Sequence, residues 1–103
     1  MAETPSGYPI RVVGLAWFRE EDYPSLLAIF EDADKMPRSW KEWLKGAEQT
    51  EQRAKALGQA TERVYIDPDT FPDWCRHAGV GVDREGRHKF IATTLASKYR
   101  NQS

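Results

Sequence analysis

Apolar positions change their period several times along the chain, and each change marks an element. From Ile10 to Phe18 the residues are β-branched, small or aromatic with no polar alternation after Arg11. That pattern predicts a strand covered on both faces, and hence a central strand. Asp22 followed by Pro24 then starts a helix with Tyr23, Leu26, Leu27 and Phe30 on one face, ending near Asp32. Proline is tolerated there because the first helical turn has N–H groups to spare. Pro37 disfavours helix at Met36 and separates this helix from the next.

Ser39 and Glu42 have capping-box spacing, and the longest helix follows. Its stripe is Trp40, Trp43, Leu44, Ala47, Ala54 and Leu57, with Gly58 as the stop. Thr61 to Ile66 alternates, Val64 and Ile66 on one side and Arg63 and Tyr65 on the other, which predicts a half-exposed second strand. Thr70 and Asp73 are spaced to cap a short helix bearing Phe71, Trp74, Cys75 and Ala78, stopped by Gly79. Asp83 caps a last helix whose face is Ile91, Ala92, Leu95 and Tyr99, with Phe90 beside it. The expected fold is α+β, in the order β-α-α-β-α-α, with a small sheet of two or three strands against four helices. "GVGV" at 79–82 is the candidate third strand. Residues 10–100 form the expected single domain, with a flexible tail over 1–9, where Pro5, Gly7 and Pro9 sit among small polar residues, and a short tail over 101–103.

An aromatic-proline outline occurs twice, "DYPSLL" at 22–27 and "TFPDWC" at 70–75. Sliding the halves by that offset of 48 leaves Pro24 over Pro72 and Lys41 over Lys89 as the identities from Ile10 onward. So sparse a match favours a local device for starting a helix over an internal duplication.

Composition narrows function mainly by exclusion. With 40% hydrophobic residues in a chain of 103, one packed core is affordable and a disordered chain is not expected. Net charge is −1, so any nucleic-acid or anionic-membrane partner would need a local patch. A lone cysteine forms no intrachain disulfide and suits a reducing cytoplasm. One cysteine with two histidines falls short of a four-ligand Cys/His zinc site, and no metal or other cofactor is expected. The longest apolar run, "VVGLAWF", is far below the roughly twenty residues of a membrane span, and the first ten residues have no signal-peptide pattern. Neither export nor membrane insertion is expected.

Three constellations bear on chemistry. Asp67 and Asp69 in "VYIDPDTF" invite comparison with the D-x-D-x-T nucleophile loop of haloacid-dehalogenase-like phosphotransferases, but Phe71 stands where the threonine belongs. A calcium loop opening at Asp67 fails at Pro72 and Ala78. Turn and cap roles account for both aspartates. Cys75 and His77 point about 200° apart on a helix, so a nucleophile–base pair would need His88 instead, brought in by tertiary folding. Cys75, on the apolar face, is expected to be a small buried hydrophobe. The last helix concentrates positive charge, with Arg84, Arg87, Lys89, Lys98 and Arg100 against Glu85 alone.

Strand 61–66 followed by two helices resembles the ribbon-helix-helix repressors. The resemblance covers about 40 residues and rests on element order, and it departs from the family in its proline-started helix. It implies a dimer whose paired strands enter the DNA major groove, with Arg63 and Tyr65 as base readers. Asp67, Asp69 and Asp73 crowd the region where phosphates would lie, which disfavours that partner. The ranking that results is a non-enzymatic protein-interaction module or regulator, with no catalytic, cofactor or metal residues, ahead of a DNA-binding regulator and then a small enzyme built on Asp67/Asp69 or Cys75/His88. Candidate partner-binding residues are Trp40, Trp43, Arg63, Tyr65, Arg84, Arg87 and Lys98. A homodimer through the first strand is expected, because a two-stranded sheet leaves open edges that something must cover.

Overall fold

A computed structural model describes residues 12–100. The tails expected over 1–9 and 101–103, and Ile10 and Arg11, lie outside the described residues. The order is β1 (Val12–Trp17), α1 (Tyr23–Ile29), α2 (Trp40–Ala56), β2 (Ala60–Tyr65), α3 (Phe71–Ala78) and α4 (Arg84–Arg100), with short 3-10 turns at Glu20–Asp22 and Ala33–Lys35. This is the expected α+β order with four α-helices.

β1 and β2 pair in parallel, from Val12 opposite Ala60 to Trp17 opposite Tyr65. The register offset is therefore 48, the spacing of the aromatic-proline outline. Tyr23 and Phe71 each open a helix at the same distance past their strand, with proline in the first turn and the ring 2% and 1% exposed. The long helices break the repetition. α2 covers the face carrying Leu15, Trp17 and Arg63, where Trp17 meets Trp43 at 5.2 Å. α4 covers the other face, with Ile91 and Leu95 against Val64 and Gly14.

The main core lies where the strands end: Phe18, Tyr23, Leu26, Phe30, Ile66, Phe71 and Cys75. Each α-helix start has its own solution. Ser39 Oγ accepts from Glu42 N–H at 3.2 Å and so caps α2 as the spacing predicts. Asp83 Oδ1 accepts from Gly86 N–H at 3.0 Å and caps α4. Asp22 and Thr70 make no side-chain cap. At α3 Asp67 acts instead, its Oδ1 accepting from Asp69 N–H at 2.8 Å while its carbonyl accepts from Phe71 N–H at 2.9 Å. Gly58 and Gly79 take positive φ, 81° and 75°, and end α2 and α3 as expected.

Several details differ from the sequence expectation. α1 stops at Ile29 rather than near Asp32, and a 3-10 turn fills the gap before Pro37. Leu57 is 78% exposed, because α2 ends at Ala56 and Leu57 has left its apolar stripe. Ala92 is exposed, since the buried side of α4 runs through Gly86, Arg87, Ile91 and Leu95. The segment 79–82 adds no strand: Val82 offers its carbonyl to Glu31 N–H, which holds this stretch beside the start of the 3-10 turn.

Candidate functional site

Among the described residues, the strand expected at the centre of a sheet lies at an edge. β1 is covered on both faces by α2 and α4, which explains its unbroken apolar run, yet among the described residues its only strand partner is β2. Which backbone groups are left over follows from one hydrogen bond. Ile66 N–H donates to Trp17 C=O at 3.1 Å, so Trp17 turns its N–H and C=O toward β2. In a strand these directions alternate, so Val13 and Leu15 also face β2, whereas Val12, Gly14 and Ala16 face the open edge.

A groove of about 400 Å³ runs along that edge. Gly14, Leu15 and Ala16 form its floor, Trp43 and Thr50 of α2 one wall, and Arg84, His88 and Ile91 of α4 the other. A second recess of about 480 Å³ continues past Trp17 along α2. β1 has six residues and no charge, whereas β2 carries Glu62 and Arg63 along its length. Charges are a common guard on exposed strand edges, and β1 lacks them.

Trp43 is half-buried and lines the groove, meeting Trp17 edge-on and Phe18 in a tilted contact. Trp40 is anchored instead, its indole N–H donating to Phe18 C=O at 2.8 Å. Arg84 is exposed at the groove's rim. Arg87 is buried and forked onto Asp32, at 3.0 and 2.7 Å, with Phe30 beneath its guanidinium at 4.5 Å. Those bonds hold the Asp32 carboxyl below the usual carboxylate range. Lys98 pairs with Glu62 at 2.6 Å, and Tyr99 OH donates to the same carboxylate at 2.6 Å. The basic face of α4 is thus partly neutralised within the fold.

Arg63 is engaged as well. Its guanidinium donates to both oxygens of Glu51, at 2.9 and 2.8 Å, and lies 3.9 Å over the Trp17 ring. The buried Glu51 carboxyl is held low by that pair. Tyr65 is 42% exposed and carries Arg19 over its ring at 4.5 Å. The geometry departs from a ribbon-helix-helix dimer, because β2 pairs in parallel with β1 of its own chain and Arg63 is turned onto α2.

Cys75 is fully buried, and burial pushes its thiol pKa up. His88 is exposed on the groove wall, and His77 is exposed on α3 with Nδ1 at 2.8 Å from Asp73 C=O. Asp67 and Asp69 are bound into one turn. Among the described residues no group of three His, Cys, Asp or Glu side chains could hold a metal, and no helix is long and apolar enough to cross a membrane. Comparison with protein-family models, with curated proteins and with solved structures found no match.

Sequence reasoning missed the groove because groove walls are made by tertiary packing. One signal was present: an uncharged strand in a chain with few strand candidates.

Proposed function

We propose that this chain is a non-enzymatic protein-interaction module that works by accepting an additional strand on the open edge of β1. One observation carries the reading. The strand's apolar side chains are covered on both faces while the N–H and C=O groups of Val12, Gly14 and Ala16 face the open edge, where Gly14 and Ala16 floor a groove. Main-chain bonds to an added strand supply affinity in such an arrangement, and the flanking side chains supply selectivity. Trp43 and Ile91 offer apolar contacts on opposite walls, and Arg84 and His88 a polar rim. The groups that chemistry would use are occupied structurally, Cys75 in the core and Asp67 in a helix-starting turn. A buried free thiol suits the reducing cytoplasm, where we place the module.

The test is a titration of the isotope-labelled protein with a panel of solubly tagged extended hexapeptides of apolar, uncharged sequence, followed by amide chemical shifts. Shifts confined to β1 and the facing turns of α2 and α4 are expected. Shifts centred elsewhere, or none across the panel in a protein whose β1 edge is shown to be unpaired, would overturn the reading.

A further inference from the structure

We infer that the strand accepted by β1 is β1 of a second copy, paired antiparallel about Gly14 to give a four-stranded sheet in the order β2-β1-β1′-β2′. The inference rests on the edge-binding reading above and names its occupant.

The occupant must present apolar side chains on both faces, because Trp43 of α2 and Ile91 of α4 stand on opposite sides of the edge. β1 meets this requirement over its whole length, and β2, with Thr61, Glu62 and Arg63, does not. Two copies of an uncharged strand also meet without like-charge repulsion.

Symmetry then limits the register. A two-fold axis relating antiparallel strands stands perpendicular to the sheet and sets one residue opposite its own copy. Centring on Gly14 or on Leu15 keeps five of β1's six residues in paired positions. In the Gly14 register Val12 faces Ala16′, Gly14 faces Gly14′ and Ala16 faces Val12′. All of these residues turn their backbone groups to the edge, so each of the three pairs exchanges two hydrogen bonds. In the Leu15 register Val12 falls opposite Phe18′, whose carbonyl already accepts from the Trp40 indole. The Gly14 register leaves no outward group of β1 without a partner, which favours it.

The same axis sets α2 beside α2′ on one face and α4 beside α4′ on the other. That matters energetically, because a stable dimer hides about 1,200–2,000 Å² in total, more than one strand pair supplies. Trp43, half-buried on the groove wall, stands where its remaining surface would be covered by the second copy.

Sedimentation of the full chain from about 1 to 100 μM, together with amide hydrogen exchange, decides the matter. The expected species has about twice the 11.8 kDa mass of the chain, and the amides of Gly14 and Ala16 are protected as strongly as those of Val13 and Leu15. Ala16→Pro removes an outward donor and sets its ring in the edge without touching a β1–β2 bond, so it is expected to yield a folded monomer. A folded Ala16→Pro dimer would overturn the interface. Should that variant unfold, exchange in the wild type still decides, since rapid exchange at Gly14 and Ala16 in a dimer means that another surface pairs. A wild-type monomer at 100 μM overturns the second copy as occupant. The edge-binding reading then stands if the hexapeptides shift β1, and falls with it if they do not.

Discussion

Alanine in place of glycine inside a helix ordinarily stabilises a protein by about 0.8–1 kcal/mol, because glycine loses more backbone freedom on folding. Two helical glycines of this chain should respond with opposite signs. A Cβ on Gly46, exposed in the middle of α2, meets nothing within 4 Å, so Gly46→Ala should gain that amount. A Cβ on Gly86, in the first turn of α4, would stand 2.0 Å from the Gly81 carbonyl oxygen and 3.3 Å from Cys75 Sγ. The Gly81 segment cannot simply withdraw, because Val80 N–H is tied to Cys75 C=O at 3.0 Å and Val82 C=O to Glu31 N–H at 2.8 Å. Overpacking costs about 1–3 kcal/mol, and a backbone neighbour fixed at both ends belongs at the upper end of that range. Subtracting the propensity gain leaves Gly86→Ala about 2 kcal/mol less stable than the wild type. Urea unfolding followed by the fluorescence of the four tryptophans, the buried Trp17 among them, reads both variants, and a shift of about 4–8 °C per kcal/mol in Tm checks them independently. Gly86→Ala as stable as the wild type would show that the 79–83 loop yields freely, and that its contact with α4 does not hold the helix in place.

Cys75 should label with thiol reagents only on unfolding, and Cys75→Ser should cost about 1–3 kcal/mol by burying a hydroxyl; labelling of the native protein at the rate of a free thiol would refute the burial. The carboxyls of Asp32, Glu51 and Glu62 are held low chiefly by hydrogen bonds from Arg87, Arg63 and Lys98, so the stability they confer is complete above the ordinary carboxylate range near pH 4 and lost as pH falls through the lowered values. Urea midpoints from pH 7 to 2.5 should show that loss, with a shallower slope for Arg87→Met; equal slopes would refute the role of the Asp32 pair. Labelled duplex DNA should show no tight binding at moderate salt, and binding that persists there and weakens with Arg63→Ala would restore the repressor reading.

Much of the fold was legible because local chemistry and tertiary packing agree. Ser39, Asp83, Gly58 and Gly79 mark ends of α2, α3 and α4 that the structure reproduces, and Val64 against Arg63 sets the facing of β2. The misplacements occur where a long-range contact competes with a local signal. Ala92 matches the apolar period of α4, yet Arg87 takes a buried place on that helix because Asp32, 55 residues away, neutralises it. Glu51 is likewise buried in α2 by its pairing with Arg63 of β2. No periodicity rule admits a charged residue to a core, since the rule cannot see the partner.

β1 shows the same limit from the other side. An unbroken apolar strand is ordinarily read as central, because burial on both faces usually means neighbours on both edges. Here the two conditions separate: α2 and α4 supply the faces, and β2 supplies one edge. Faces are covered by side chains, which the sequence spells out, whereas an edge is closed by main-chain groups common to every residue. Hydrophobic pattern therefore reports the first condition and not the second. The excess of apolar character over what one edge partner requires is why the strand addition proposed above is assigned to β1 rather than to the charged β2. The same distinction tells where substitutions will act: Val13→Lys places a charge on the α2 face and should unfold the chain, whereas Ala16→Pro removes an edge donor without touching a β1–β2 bond and should act chiefly on what binds there.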